Sequence, residues 1–533
     1  MFLRTVCRAQ GAKAFHQNAN VRFLATQVEA AKVNLESSKG NGIDFSTATP
    51  LSEIPGPTAI SLIVSSLPGG KFYKMELREV LRSCRKQYGD IMRFPSLFGN
   101  PSIVFTHKPE HFEIVFRTEG QWPVRPVLDT IKSFRENIRS DIFGVHAGLL
   151  HSQGKKWGDF RSIVNPVLMQ PKTTKLYIPI IDQVASDFLG RIRFLRNPTT
   201  NQLPENFEDE LNKWTLESIG VIALDTRLGL ISNKANEKAM EFIENLKLVF
   251  ELAFDLEFNI SIWRIVATPK YKKLMKVLDS LADSAREYIE EAAGKLKKRK
   301  TESTKDHEES VLEKLLKIDP IIAQVMAIDM IFAGVDTTSS AFTGALYLLA
   351  KNPDKQEILR NEIRAVLPEK DSSFTIEKMT RLPYLRACIK ESQRIFPTLN
   401  GNVRGAGQNI VLDGYQIPKG TFVAMLSPDL QMDDKYFPVA SKFLPERWLK
   451  TDEARATCPV SAKAAHPFIY MPFGFGPRMC IGRRLAELEM EILLSKLVRN
   501  FHISWEHPDL KFKWSTINAP VSKLMFTLVD VEK

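Results

Sequence analysis

The sequence predicts a mainly α-helical fold with a minor β part. Apolar residues recur at helical spacing in eight segments, which are 75–88, 207–225, 234–256, 270–299, 320–350, 354–366, 375–394 and 482–499. The strand-like pieces are short and do not alternate regularly with these helices. The pattern therefore does not support a doubly wound parallel sheet.

The chain starts with a basic leader. Residues 1–28 contain Arg and Lys but no acidic residue, a composition typical of organelle transit peptides. We expect a mitochondrial transit peptide over 1–24, a linker over 25–53 and one domain over 54–533, because the stiff sequence Ile54–Pro57 marks where the folded body begins. Strands are expected at 91–94, 102–106, 421–426 and 524–529, with a hairpin over 413–421.

The composition suits a large globular protein in a reducing compartment. Of the 533 residues, 44% are hydrophobic and 25% are charged, which excludes extensive disorder. Five scattered cysteines are too few for a disulfide framework. The net charge of +11 would suit an anionic membrane, an acidic protein or nucleic acid. No nucleic-acid-binding motif is present, so we expect no nucleic-acid partner.

A peripheral membrane contact is expected rather than a membrane span. No run of 18 apolar residues occurs, and the best candidate, 321–335, is interrupted by Gln324 and Asp329. The segment 249–276 mixes Phe, Leu, Ile and Trp with a lysine-rich end, which favours contact with an anionic lipid surface. Ordinary packing helices with surface lysines would have the same composition.

The segment Phe473–Gly482 carries the most informative motif in the chain. Three glycines surround Cys480 and imply an unusual backbone or close approach to a flat object. Because Cys480 precedes a helical run, the helix dipole and free amides are expected to lower its pKa. A thiolate at this position is a strong ligand for haem iron, whereas a lone cysteine is more often a small buried apolar residue.

The pattern F-x-x-G-x-R-x-C-x-G is met at every fixed position, which chance would produce in on the order of 1 in 10,000 such chains. This loop resembles the haem-binding loop of the cytochrome P450 family, and the resemblance covers roughly residues 54–530. It implies the fold of that family, with a long helix over the distal face of haem b and the cysteine loop on the proximal side. It also implies that Cys480 is the axial thiolate, that Arg478 pairs with a haem propionate and that Phe473 contacts the cofactor.

The motif A-G-V-D-T-T at 333–338 lies within a long predicted helix. It matches the distal-helix motif of the family, which implies that Asp336 and Thr337 relay the protons consumed when dioxygen is cleaved. Gly334 is expected to leave room for dioxygen. The alternative is a threonine that bonds back into its own helix beside a surface aspartate.

Glu391 and Arg394 stand at i, i+3, and Arg447 follows in the sequence P-E-R-W. This arrangement is similar to the buried Glu-Arg-Arg network of the family, which is structural rather than catalytic. Seen alone, the first two residues would be an ordinary surface ion pair.

Trp157 and Arg161 stand at i, i+4 and resemble the W-x-x-x-R helix of the family. The resemblance implies that both bind haem propionates, and Arg404 matches a further propionate-binding position. The alternative for the first two is a core aromatic residue with a surface charge.

Several segments resemble the animal mitochondrial branch of the family, and the overall likeness suggests insects; the segments are 214–219, 225–229 and 263–269. In that branch electrons pass from NADPH through a ferredoxin reductase to an acidic 2Fe–2S ferredoxin. Arg386 and Lys390 match its ferredoxin-docking positions, and at i, i+4 they share one helix face. A solvated basic face would have the same pattern.

These observations predict a haem-thiolate monooxygenase at the matrix face of the mitochondrial inner membrane. Its substrate is expected to be small and lipophilic, either steroid-like or xenobiotic, and to bind in an apolar pocket. By family position the pocket includes Phe332, Ala333, Leu399, Asn400 and Ile517. Two alternatives remain. An oxygen-independent haem-thiolate isomerase or lyase would not need the acid–alcohol pair, and a haem-binding protein without enzymatic activity would need neither that pair nor a ferredoxin-docking face.

Overall fold

The computed structural model describes residues 44–126, 128–144, 146, 148–232, 237–259, 261–302, 308–449 and 461–532. The predicted transit peptide 1–24 lies outside the described residues, as does the predicted linker up to residue 43. Within the described parts of the chain, Cys84, Cys388 and Cys480 are free thiols.

Helices dominate the fold, which confirms the predicted class. The first nine are α1 (Ala59–Ser66), α2 (Leu77–Tyr88), α3 (Pro109–Arg117), α4 (Asp129–Ser133), α5 (Ser140–Phe143), α6 (Gly154–Leu168), α7 (Pro171–Leu176), α8 (Ile178–Leu195) and α9 (Phe207–Leu224). They are followed by α10 (Glu237–Glu257), α11 (Pro269–Glu302), α12 (Val311–Ile318), α13 (Pro320–Lys351), α14 (Pro353–Val366), α15 (Ile376–Thr380), α16 (Pro383–Ile395), α17 (Ser427–Gln431) and α18 (Arg483–Asn500).

Seven of the eight predicted helical segments coincide with one helix each, but 375–394 is divided into α15 and α16. Leu382 has non-helical angles, with φ of −122° and ψ of 59°, and Pro383 occupies the first turn of α16. Proline has no backbone N–H with which to continue the preceding helix, and its fixed φ suits a helix start. The prediction of a single helix over this segment is therefore wrong.

The β part is small and lies in four sheets. Its strands are β1 (Ile91–Phe94), β2 (Ile103–Thr106), β3 (Asn402–Gly405), β4 (Ile410–Leu412), β5 (Tyr415–Ile417), β6 (Phe422–Met425), β7 (Phe501–Ser504), β8 (Phe512–Lys513), β9 (Ala519–Pro520) and β10 (Thr527–Asp530). The largest sheet has the order β1-β2-β6-β3, with β2 and β6 parallel. The predicted hairpin is the pair β4–β5, whose turn residues Asp413 and Gly414 both have positive φ.

Helix α13 is the central element of the hydrophobic core. Asp319 caps its start by accepting a hydrogen bond from the amide of Ile321 at 2.6 Å, and Pro320 begins the helix. Of the helices that the structure describes, α13 is the one long and apolar enough to cross a bilayer by length and composition. However, 67% of its most apolar window is buried inside the protein, where it packs against α9, α12 and α16.

A buried ionic network fixes the segment that leads to the cysteine loop. Glu391 is fully buried and accepts hydrogen bonds from Arg394 at 2.8 and 3.0 Å and from Arg447 at 3.1 Å. Both arginines also donate to backbone carbonyls between residues 431 and 440. The indole N–H of Trp448 donates to Glu391 at 2.8 Å. This tryptophan therefore makes a contact that phenylalanine could not make.

Candidate active site

The cysteine loop is a tight turn that presents Cys480 shortly before α18. Gly474 and Gly476 have φ of 72° and 70°, a region that residues with a Cβ atom rarely adopt. The amide of Cys480 donates to the carbonyl of Phe473 at 2.9 Å and closes the turn. A Cβ atom at Gly476 would also collide with the carboxylate of Glu119. The shape of this loop therefore depends on its glycines.

The Cys480 thiol is accessible, yet its pKa is raised. Burial among protein atoms is the largest cause, while the amides of Gly482 and Arg483 and the charges of Arg161 and Arg125 act in the opposite direction. The expectation of a lowered pKa is wrong, because desolvation outweighs the predicted helix-terminus effect. Metal coordination would still deprotonate the sulfur.

Arg478 and Trp157 stack beside the loop. The guanidinium of Arg478 lies 4.0 Å from the centre of the buried Trp157 ring. Arg478 also donates to the carbonyl of Pro123 at 3.0 Å and to that of Ser152 at 2.6 Å. These contacts hold the side chain between the cysteine loop and the start of α6.

Three further arginines lie near Arg478, and we call the four together the arginine cluster. Arg161 donates to the carbonyl of Met479 at 3.0 Å, and Arg404 pairs with Glu119 at 2.6 Å. The fourth is Arg125, which donates to the carbonyl of Leu150. Sequence reasoning missed it, because a single arginine in the segment 118–126 matched none of the motifs considered.

The arginine cluster carries more positive charge than its one carboxylate partner, Glu119, can neutralise. Burial, followed by repulsion from Arg125, Arg404 and Arg161, lowers the pKa of Arg478 to about 8. Three N–H groups of the arginine cluster are buried without a hydrogen-bond partner, namely Nε of Arg125, Nε of Arg161 and Nη1 of Arg478. A bound dicarboxylate would supply both charge and acceptors, so these residues fit the two propionates of haem b.

Asp336 and Thr337 lie in the middle of α13 and are partly exposed. The Thr337 hydroxyl donates to the carbonyl of Ala333 at 2.7 Å, as the alternative interpretation proposed, and its oxygen can still accept a hydrogen bond. Burial raises the pKa of Asp336 to about 7, which Lys247 opposes and Glu208 reinforces. The carboxyl can therefore both hold and release a proton near neutral pH, as a relay requires.

Lys247 of α10 is a neighbour of Asp336 and the second residue that sequence reasoning missed. Its ammonium lies 2.8 Å from Asp209 and 3.7 Å from Glu208, both at the start of α9. The signal in the sequence is a single lysine in the otherwise apolar stretch 246–250. This ionic group sets the charge near Asp336.

Gly334 packs against a neighbouring helix. A Cβ atom at this position would lie 3.0 Å from Cγ1 of Ile219 in α9. The space that a side chain at this position would need is therefore filled by Ile219, while the expectation that Gly334 leaves room for dioxygen stays a prediction. The glycine allows close approach of α9 and α13.

The expected pocket residues fall in two places. Phe332 is buried in α13 with its ring 5.0 Å from that of Phe250, and Ala333 beside it is partly exposed. Asn400 donates to the carbonyl of Ser515 at 2.8 Å. This hydrogen bond joins the segment after α16 to the segment that contains the buried Ile517, while Leu399 is exposed. Phe332 is the one expected residue that also lines a small apolar recess between α4, α11 and α13.

The two expected docking residues differ in their surroundings. Arg386 donates two hydrogen bonds to Glu491 of α18, at 2.9 and 3.1 Å, so its charge is largely compensated. Lys390 is exposed. Arg483 pairs with Glu487 at 2.9 Å, so it also has an acidic partner.

Comparison with known proteins decides which family this is. A family model described as Cytochrome P450 matches residues 54–526. The chain is a cytochrome P450. It is 46% identical to cytochrome P450 CYP12A2 of Musca domestica over 92% of this chain and 93% of that protein. It is 45% identical to the probable mitochondrial cytochrome P450 12a5 of Drosophila melanogaster over 98% of both chains.

Another relative is the mitochondrial cytochrome P450 12b1 of Drosophila acanthoptera, at 42% identity over 89% of this chain and 88% of that protein. Membership of the family confirms that this cytochrome P450 is a monooxygenase with haem b as its cofactor. The resemblance to insect relatives is likewise confirmed.

Proposed function

We propose that this cytochrome P450 hydroxylates a small lipophilic substrate in mitochondria: R–H + O₂ + 2e⁻ + 2H⁺ gives R–OH + H₂O. The observation that carries the proposal is the combination, in one protein, of an accessible cysteine beside the arginine cluster and a carboxyl group of pKa about 7 next to a hydroxyl. The mitochondrial names of the Drosophila relatives support the location.

Each part of the site has a proposed role. Cys480 would ligate the haem iron, Phe473 would contact the cofactor, and the arginine cluster with Trp157 would hold the propionates. Bound haem supplies the redox chemistry that activates dioxygen. Asp336 takes up protons and passes them to the Thr337 hydroxyl, which delivers them on the substrate side of α13.

The electron donor is proposed to be a 2Fe–2S ferredoxin, itself reduced from NADPH by a ferredoxin reductase. An acidic partner would be attracted by the positive charge of Lys390, which is exposed on α16. Because Arg386 is tied to Glu491, its reversal would disturb the packing of α16 on α18. Lys390 is more exposed than Arg386, so the test is made there.

Lys390→Glu should raise the apparent Michaelis constant for ferredoxin, most clearly at low ionic strength. Peroxide-driven turnover, which needs no electron donor, should be unchanged. Lys419→Glu, at the exposed turn after β5, is the matched charge reversal. Equal effects of both variants on ferredoxin-supported turnover would contradict docking at α16.

A peripheral membrane contact is part of the proposal. Helix α1 exposes Ile60 and Val64, and Leu67 directly after it is also exposed. The loop between α10 and α11 exposes Ile262, Ile265 and Val266. Lysines follow both segments, at 71 and 74 and at 270–276. Apolar side chains with basic neighbours favour an anionic lipid surface, from which a lipophilic substrate could enter.

Reconstitution tests the reaction itself. Haem-loaded protein with NADPH, ferredoxin reductase and ferredoxin is screened against steroid and xenobiotic libraries, first by type I spectral shift and then by product analysis. We expect hydroxylated product that contains one oxygen atom from labelled dioxygen. Rearrangement of an organic peroxide without NADPH and without oxidation of a second substrate would indicate an isomerase or lyase, and haem binding without product would indicate a haem carrier.

A further inference from the structure

One face of α13 leads away from the relay residues. Ile328, Phe332 and Asp336 are spaced at i, i+4 and i+8, so their side chains project from the same face. At about 1.5 Å per residue, Phe332 lies about 6 Å and Ile328 about 12 Å from Asp336 along the helix axis. Both apolar residues line the small recess between α4, α11 and α13.

The walls of this recess are apolar. Helix α11 contributes Leu278 and Leu281 together with two alanines, Ala282 and Ala285, and α10 contributes Phe242. The alanines leave space that a longer side chain at the same position would fill. The recess therefore owes part of its size to residue volume on α11.

The one charged residue at the recess is already paired. Arg135 lies 2.7 Å from Asp329, and each side chain is only 3% exposed. Asp329 also accepts a hydrogen bond from the amide of Leu149 at 2.6 Å, and Arg135 lies 4.3 Å from the centre of the Phe143 ring. A charged end group would have to compete with this buried pair, whereas a hydrocarbon would not.

We propose that this recess is the far end of the substrate site, that it takes the neutral hydrocarbon end of an elongated substrate, and that Ala282 limits the length of that end. The substrate would then extend along α13 from Thr337 toward Ile328. This inference rests on the proposed function, because it places the oxidised end of the substrate beside Thr337.

A series of 1-alkylimidazoles, from butyl to dodecyl, measures the length of the site. The imidazole nitrogen binds the haem iron and gives a type II spectral shift, while the alkyl chain extends into the pocket. In the wild type, affinity should rise about fourfold for each added methylene group while that group is buried. It should level off once the recess is full.

Ala282→Leu should make the affinity level off at a shorter chain. Ala293→Leu is the control, since Ala293 lies on the same helix, is partly exposed and does not line the recess. If Ala282→Leu does not fold, Phe242→Ala provides the opposite change and should move the levelling-off to a longer chain.

The same dependence on chain length in Ala282→Leu and the wild type would overturn the proposal, as would no dependence in the wild type. Equal affinity for dodecylimidazole and its carboxylate-terminated analogue would also overturn it, since the recess would then accept an anion beside Arg135. These titrations use protein that shows the thiolate-type carbon monoxide spectrum. Absence of that spectrum would instead refute the proposed function.

Discussion

Asp336 and Cys480 both have a raised pKa because protein atoms replace water around them. Near Asp336 the charges of Lys247 and Glu208 act in opposite directions, so burial is decisive. The carboxyl therefore changes its protonation state near neutral pH. Its removal should alter the pH dependence of both turnover and stability.

Asp336→Asn should lower product formed per NADPH by on the order of 10²-fold, the scale of a lost general acid. In the wild type this ratio should fall as the pH rises through about 7, because the protonated donor disappears. The variant should be low at every pH. Assays of product and of NADPH between about pH 6 and about pH 8.5 test this pH dependence.

The raised pKa of Asp336 should also make the unfolding free energy fall as the pH rises. The pKa of Asp336 in the folded protein, about 7, exceeds its ordinary 3.8, so its favourable contribution is complete below the lower value and is lost as the pH rises through the higher one. Asp336→Asn should therefore gain unfolding free energy over the wild type as the pH rises. The exposed Asp371→Asn is the control, and denaturant curves with no such gain would contradict the raised pKa.

Trp448→Phe should remove a hydrogen bond to a buried carboxylate. The expected loss of unfolding free energy is about 1.5–3 kcal/mol, the usual range for a hydrogen bond to a charged group. Trp505→Phe is a matched control, because the Trp505 N–H donates to a neutral carbonyl, that of Pro508, at 3.0 Å. Denaturant unfolding measures both variants. Equal losses of unfolding free energy would show that the hydrogen bond to Glu391 stabilises the protein no more than one to a neutral carbonyl.

Helices α9 and α13 make the most extensive helix pair in the described core. The ring centres of Trp214 in α9 and Phe342 in α13 lie 5.0 Å apart, and Gly334 of α13 faces Ile219 of α9. Because both helices are buried along most of their length, small changes in side-chain volume at this contact cannot be relieved by solvent.

Gly334→Ala should push these two helices apart and lower the unfolding free energy by about 1–3 kcal/mol. Gly190→Ala is the control: in α8 no atom lies within 4 Å of the added methyl group, and a gain of about 0.5–1 kcal/mol is expected. Thermal or denaturant unfolding checks both. Unchanged stability with impaired turnover in Gly334→Ala would contradict a packing role and support the expectation that Gly334 leaves room for dioxygen.

Seven helices could be predicted from the sequence because their apolar spacing continues over several turns, but the 18-residue α8 was not among the predicted segments. The short helices α1 and α3 were not predicted: they have eight and nine residues, and so few turns do not distinguish a helix from a short apolar run. Residues 375–394 were misassigned because their apolar spacing continues across Pro383, although the helix does not. Proline outweighs periodicity there, because it lacks the amide that the first helix would need.

In the part of the chain that the structure describes, two apolar segments remain exposed on the surface. Ile60 in α1 is 75% exposed and Ile265 in the loop before α11 is 69% exposed. Single exposed apolar residues are ordinary, but several within one short segment followed by lysines are typical of a membrane-contact surface.

Ile60→Glu and Ile265→Glu should each weaken binding to anionic vesicles by roughly tenfold or more, because each removes one inserted isoleucine. Val521→Glu is the control, since Val521 is 60% exposed but lies outside both segments. Vesicle co-sedimentation measures the effect. Equal binding by all three variants would place the membrane contact elsewhere.

Most of the site residues expected from the sequence belong to motifs that keep them close in the chain, whereas Arg404 was expected from family position alone. Cys480 with Arg478, Asp336 with Thr337 and Glu391 with Arg394 belong to such motifs. Arg125 and Lys247 could not be predicted, because tertiary packing alone brings them to the arginine cluster and to Asp336. The net pKa of Cys480 was mispredicted for the same reason, since burial is a property of the whole fold.

The carbon monoxide difference spectrum of the reduced protein tests the central claim most directly, with Cys480→Ser beside the wild type and Cys388→Ser as the control. Cys388 is a buried free thiol remote in sequence from the loop. The wild type and Cys388→Ser should show the red-shifted band of thiolate-ligated haem, and Cys480→Ser should lose both band and turnover, because a serine oxygen is a poor substitute for a thiolate ligand. Retention of the thiolate-type band in Cys480→Ser would contradict the assignment of Cys480 as the haem ligand.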